Sequence, residues 1–194
     1  MKNRARLLEL LRERSLEMGD FVLSSGARSR YYVDCRRTTM HAEGQALIGT
    51  LGLELLREAD LQVDAIGGLT MGADPVSYAI AHSSWLAGTP INAFSVRKQL
   101  KDHGTGRRIE GCFVAGSRVV VVEDVITSGG SALEACRAVE AEGGSVAGVI
   151  AVLDREAGGA ATLTAAGYPV HSLFGIRELL DCPMSEVATT AADS

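Results

Sequence analysis

No run of apolar residues in this chain approaches the roughly 20 needed to cross a bilayer as a helix. Residues 1–18 are interrupted by Lys2, Arg4, Arg6, Glu9, Arg12, Glu13 and Arg14, so they lack the continuous apolar stretch of a signal peptide, and a cytosolic protein without membrane partners is expected. Cysteine is sparse as well. Cys35, Cys112, Cys136 and Cys182 lie far apart and form no CxxC pair, which argues against a zinc site and a dense disulfide framework and favours reduced, mostly structural thiols. An excess of positive charge is also missing: the formal net charge of -5 disfavours nonspecific attraction to nucleic acid, and no nucleic-acid partner is expected. There is neither a Gly-Lys-Ser/Thr loop nor a dinucleotide fingerprint.

What remains is a chain of 194 residues, 46% apolar and 22% charged, the composition of one globular domain over 1–194 with a full core. Leu7, Leu8, Leu10, Leu11 and Leu16 recur at helical spacing, and Met18-Gly19-Asp20 reads as the helix stop. A turn at Ser24-Ser25-Gly26 precedes a strand containing Tyr31-Tyr32-Val33, and residues 41–59 are again helical. A short, mostly apolar run, 63–66, then enters Gly67-Gly68, read as a turn. Strands are predicted near 63–67, 91–96, 118–123, 146–153 and 170–174, with helices near 74–86, 130–142 and 157–166. Val119-Val120-Val121-Val122 is apolar at every position, as burial on both faces of a parallel sheet requires, so the expected class is α/β with a mainly parallel sheet flanked by helices. The Ala-, Thr- and Ser-rich tail, 182–194, is expected to fray.

The most informative segment follows that valine run: Glu123-Asp124-Val125-Ile126-Thr127-Ser128-Gly129-Gly130-Ser131. Ligands of open α/β sheets bind at the carboxyl ends of strands. Glycines and the free N–H groups of a helix start, helped by the Thr127, Ser128 and Ser131 hydroxyls, suit a phosphate. Two carboxylates would repel that phosphate, but they accept hydrogen bonds from neutral sugar hydroxyls, and together the two parts describe a ribose 5-phosphate. The bland alternative is a strand, an acidic residue and a capped helix with no ligand.

A second segment is locally cationic: Arg97, Lys98, Lys101, Arg107 and Arg108 stand against Asp102, with Gly104 and Gly106 between. By itself it reads as a solvated hairpin. Beside the first motif it reads as a mobile lid whose cations meet pyrophosphate and stabilise the charge that grows as this group departs.

The stretch 119–131 resembles the phosphoribosyl pyrophosphate signature of type I phosphoribosyltransferases, and Arg97-Lys98-Gln99-Leu100-Lys101-Asp102-His103-Gly104 is similar to the catalytic loop of the orotate phosphoribosyltransferases, over about residues 21–175. The resemblance implies the type I fold with a small N-terminal hood (residues 1–40, a helix and a base-covering segment). It implies transfer of ribose 5-phosphate from phosphoribosyl pyrophosphate to orotate, Mg2+ held mainly by substrate rather than by protein ligands, and a homodimer in which loop 97–108 serves the neighbouring subunit. Carried over residue by residue, it makes Lys101, His103 and Asp124 catalytic. Arg97, Lys98, Lys101, His103, Glu123, Asp124, Val125, Ile126, Thr127, Ser128, Gly129, Gly130 and Ser131 become donor contacts, and Thr127 and Arg155 orotate contacts; the plain alternative for Arg155 is a surface pair with Glu156.

Two positions depart from the family pattern. Leu23-Ser24-Ser25-Gly26 lacks a lysine usual before its serine and glycine, and Leu69-Thr70-Met71-Gly72 lacks a lysine usual in the second glycine-rich turn; backbone donors of residues 70–73 are expected to compensate in part. The alternatives to orotate transfer are transfer to another base, or a regulatory protein that senses the donor.

Overall fold

The valine run sits where its composition demands. In the computed structural model, which describes residues 2–22, 28–99 and 108–181, Val119, Val120, Val121 and Val122 are all fully buried. Val120 and Val122 pack on one side of the sheet with Ile48, Ile80 and Ile150, and Val119 and Val121 on the other with Phe94, Ala135 and Val149. Each such side chain contributes roughly 1.5–3 kcal/mol through burial.

The chain runs α1 (Lys2–Ser15), β1 (Leu16–Val22), β2 (Arg28–Val33), α2 (Arg36–Thr39), α3 (Ala42–Glu58), β3 (Ala65–Leu69), α4 (Ala73–Leu86), β4 (Asn92–Val96), β5 (Ile109–Gly111), β6 (Arg118–Ile126), α5 (Gly130–Ala141), β7 (Ser145–Asp154), α6 (Gly159–Ala165), β8 (Val170–Gly175) and α7 (Ile176–Leu180). Strand order in the main sheet is β5-β4-β3-β6-β7-β8, parallel throughout except for the antiparallel β4–β5 edge. No helix among the described residues is long and apolar enough to cross a membrane. Among the described residues Cys35, Cys112 and Cys136 are unpaired thiols; Cys182 and the rest of the tail, 182–194, lie outside the described residues.

Three local readings are corrected. Met18-Gly19-Asp20 does not stop the first helix; α1 ends at Ser15, and these residues belong to β1, which pairs antiparallel with β2 and shifts register between Met18 and Phe21. The stop lies earlier because the Ser15 hydroxyl hydrogen-bonds the Thr38 hydroxyl (2.7 Å) and its carbonyl accepts the Asp34 N–H (2.9 Å), starting the hairpin that forms the hood. Gly67-Gly68 is buried strand rather than turn: a Cβ on Gly67 would sit 2.1 Å from the Phe94 carbonyl oxygen, and one on Gly68 2.2 Å from that of Val122. Finally, β6 continues past Asp124 to Ile126, because Val125 and Ile126 extend the ladder with Leu153 and Asp154 of β7.

Candidate active site

Strands β3 and β6 are neighbours, yet the chain leaves β3 toward β4 and leaves β6 toward β7, on opposite sides. Such a reversal opens a crevice at the carboxyl ends of the two strands. A cleft of about 340 Å³ lies there, bounded by Leu69, Thr70, Met71 and Gly72 after β3 and by Glu123, Asp124 and Val125 of β6. The hood supplies a further wall from Tyr32 to Arg36, and Lys98 borders the cleft beyond β4.

The two carboxylates reach this cleft from opposite faces of β6. Side chains alternate along a strand, so Glu123 follows Val119 and Val121 on the α5 side, while Asp124 follows Val120 and Val122 toward the hood. Both are almost wholly buried. Burial, and then the Asp124 charge, push the Glu123 carboxyl up to about 8, with Lys98 opposing. Burial also raises the Asp124 carboxyl, against the Val125 N–H that it accepts at 2.9 Å. A carboxyl that holds its proton more tightly when folded makes the folded chain the better proton binder between its two pKa values. The resulting stability is complete below the ordinary value of 4.5 and is lost as pH rises toward about 8. Glu123→Gln is therefore expected to gain unfolding temperature relative to the parent between about pH 5 and 8, in thermal melts without ligands; a constant difference across that range would contradict the burial argument.

Beyond Ile126 a second, smaller hollow of about 100 Å³ is formed by residues 126–131, and it shares Glu123, Val125 and Ser131 with the larger cleft. Gly129 has φ of +81° and turns the chain into α5, whose first turn carries no side-chain cap. Its leading N–H groups have no intrahelical partner, and that of Gly130 makes only a long bond, 3.5 Å, to the Ser128 hydroxyl, so the turn suits an anion. The Ile126 side chain is in the core, so it serves the hollow through its backbone, and its carbonyl accepts the Arg155 N–H at 2.9 Å. Gly159, which opens α6, backs this loop: a Cβ there would lie 2.6 Å from the Thr127 carbonyl oxygen and 2.8 Å from the Gly129 nitrogen.

Arg155 does not pair with Glu156. That carboxylate is taken by Arg177 (2.7 Å), while the Arg155 guanidinium lies 5.3 Å from the Tyr31 ring centroid and its buried Nε has no hydrogen-bond partner among the described residues. Of the two hood tyrosines, Tyr31 packs on the core and Tyr32 lines the cleft. Glu123, Asp124, Val125, Lys98 and Ser131 meet in the cleft, whereas Thr127, Ser128, Gly129 and Gly130 border only the smaller hollow. Arg97 is not brought in: its Nε bonds Glu110 at 2.9 Å across the β4–β5 edge. Lys101, His103 and the turn at Ser24-Ser25-Gly26 lie outside the described residues.

Sequence reading missed Asp34, Cys35 and Arg36 as cleft residues. Their signal was a charged cluster, Asp34-Cys35-Arg36-Arg37, immediately after the Tyr31-Tyr32-Val33 strand. Among the described residues no group of three His, Cys, Asp or Glu side chains converges as a metal cage.

The chain matches known proteins over most of its length. The phosphoribosyl transferase domain family matches residues 40–164. The chain is 49% identical to the orotate phosphoribosyltransferase of Aquifex aeolicus over 93% of its own length and 99% of the relative's. It is 51% identical to that of Mycobacterium avium over 89% and 94%. It also resembles the crystal structure of Mycobacterium tuberculosis orotate phosphoribosyltransferase in complex with 5-phospho-alpha-D-ribosyl 1-diphosphate, with a TM-score of 0.78, 46% identity, and coverage of 91% of this chain and 98% of that one.

Proposed function

Because the chain belongs to the phosphoribosyl transferase family, among its orotate phosphoribosyltransferases, it transfers ribose 5-phosphate from phosphoribosyl pyrophosphate (PRPP) to orotate in pyrimidine biosynthesis, and we propose that the cleft and the adjoining hollow divide the donor between them. The observation that carries this reading is the shared border. The hollow of residues 126–131 and the cleft with its two buried carboxylates share Glu123, Val125 and Ser131 as walls. The 5-phosphate takes the N–H groups of residues 127–131, and the ribose hydroxyls donate to Glu123 and Asp124.

Catalysis is then a matter of position and charge. Orotate N1 attacks C1 of the ribose as the bond from C1 to the diphosphate oxygen breaks; the electron pair leaves with the diphosphate, and the configuration at C1 inverts. Positive charge grows on the sugar ring beside Glu123 and Asp124, while negative charge grows on the leaving oxygen, where Lys98 and the cations that follow it, Lys101 and His103, strengthen their interaction. Arg155 faces the orotate carboxylate. Arg155 lines neither hollow; the assignment rests on its guanidinium lying 5.3 Å from the Tyr31 ring centroid with no ion pair among the described residues, and Thr127 would approach from the phosphate side.

The residues present fit Mg2+ as a substrate-borne ion: one or two carboxylates next to phosphate and hydroxyl oxygens is a usual magnesium environment, and an all-protein cage is not. Bound with the donor, the ion supplies neutralising charge to the diphosphate. Glu123 and Asp124 would hold the ribose hydroxyls of the donor that carries the ion. We further propose a homodimer whose loop residues after Lys98 serve the neighbouring subunit; Arg97, turned toward Glu110 rather than its own cleft, supports that arrangement.

The test is pyrophosphate release from PRPP and Mg2+ with a panel of bases. Turnover with orotate alone is expected. Turnover with adenine or guanine but not orotate would reject the acceptor, and tight donor binding without turnover would point to a sensor. In the same assay Arg155→Ala should lower kcat/KM for orotate by about a hundredfold, with donor affinity kept, since a charge-assisted bidentate contact is lost. Equal losses for both substrates would place Arg155 in the scaffold instead.

A further inference from the structure

The donor has two charged ends, and the site described so far provides for them unequally. One end has the cradle of residues 127–131. The other, the diphosphate on C1, must extend from the ribose to the far side of the cleft, which the cradle does not border. Asp34 and Arg36 of the hood wall, and Met71 and Gly72 after β3 across from it, line the cleft and not the cradle's hollow. The turn after β3 brings no cation to it: Met71 is apolar and solvent-exposed, and Gly72 cannot carry a side chain there, since a Cβ would lie 2.5 Å from Asp124 Oδ1.

Arg36 is different. It follows the hood strand β2 and opens α2, and Asp34 grips its guanidinium on one edge, with Nε to Oδ1 at 2.8 Å and Nη2 to Oδ2 at 3.0 Å. The Arg36 backbone N–H also donates to Asp34 Oδ1 at 3.1 Å, so one carboxylate fixes both the backbone and the fork. A guanidinium has five N–H donors; this grip uses two, which leaves both hydrogens on Nη1 and one on Nη2. The side chain is about half exposed and its charge reaches Asp124, just as that of Lys98 reaches Glu123. Arg36 and Lys98 are the cations among the described residues that border the cleft, one acting on Asp124 and the other on Glu123.

We propose that Arg36, its fork held by Asp34, is a diphosphate contact for the donor, and that the hood thereby supplies the positive charge that the Thr70-Met71-Gly72 turn does not. Unlike Lys98, which leads into the cationic loop, Arg36 is oriented before any ligand arrives, so its cost of ordering on binding is small. This inference rests on the assignment of ribose to Glu123 and Asp124.

Steady-state kinetics of Arg36→Ala and Arg36→Lys, with direct titration of each protein by inorganic pyrophosphate and Mg2+, tests it. The alanine variant should raise KM for PRPP about tenfold or more and weaken pyrophosphate binding in parallel, while KM for orotate changes by less than about twofold; lysine should recover part of the loss, as a charge without the fork. The decisive variant is Met71→Lys placed in the Arg36→Ala background, which should restore donor affinity by returning a cation from the opposite wall. Unchanged PRPP KM and pyrophosphate affinity in Arg36→Ala, or a rise confined to orotate, overturns the proposal. If the alanine variant does not fold, the same comparison is made between Arg36→Gln and Arg36→Lys, and equal donor affinity in those two overturns it. Wild-type turnover on orotate, measured alongside, reports on the underlying site assignment: its absence would sink that assignment, whereas a defect confined to the variants bears on Arg36.

Discussion

Replacing Lys101 with alanine is expected to lower turnover by about a hundred- to a thousandfold while the affinity for PRPP stays within about a few-fold of the parent. The asymmetry follows from where charge moves. In the proposed complex magnesium and the cleft cations neutralise the diphosphate before reaction, so one lysine among several would add little to ground-state binding. As the C1–O bond breaks, the leaving oxygen acquires charge that nothing in the ground state matched, and a donor placed there is worth most at that instant. Single-turnover rates at saturating donor, together with equilibrium donor titration, separate the two quantities. Parallel tenfold losses in both would mean that Lys101 simply binds diphosphate, and an unchanged single-turnover rate would remove it from the chemistry.

Mixing two inactive variants should restore activity. If the loop after Lys98 completes the neighbouring subunit's site, a dimer of one Asp124→Asn chain and one Lys101→Ala chain contains one site with both defects and one with neither. Random exchange of equal amounts should then recover about a quarter of parental activity from two preparations that are nearly silent alone. If each loop serves its own cleft, every site in the mixture keeps a defect and no activity returns. The loss in Asp124→Asn alone is expected to be severe, because that carboxylate is buried where the ribose is proposed to lie and an amide cannot balance positive charge on the sugar.

Much of this architecture was readable from one stretch of chain. Four consecutive valines can be satisfied only by burial on both faces, and that fixes a central parallel strand with helices either side. The carboxylates and the Thr-Ser-Gly-Gly-Ser turn that follow were legible because their chemistry is local. The rest depended on neighbours distant in sequence. Gly67-Gly68 carries the local signature of a turn, but the Phe94 and Val122 carbonyls pack so closely that only glycine fits, and the pair is strand. Residues 16–22 look like a helix end because the strand they form is mostly exposed and paired only with β2, so burial leaves little periodic imprint. Asp34 and Arg36 were passed over, because only the folding of the hood against the sheet makes them a wall of the cleft. For Arg155 the deciding fact was equally remote: Arg177 of α7 captures Glu156 and leaves the arginine uncommitted.

The absence of a side chain at Gly159 has a bearing on how this site can change. Main chain at the start of α6 lies flush against the loop proposed to hold the 5-phosphate, so the loop's shape depends on a glycine that itself lines neither hollow. Drift in α6 is therefore constrained by donor chemistry, and a search for altered phosphate preference has more latitude in the hydroxyl side chains of the loop than in the floor on which it rests.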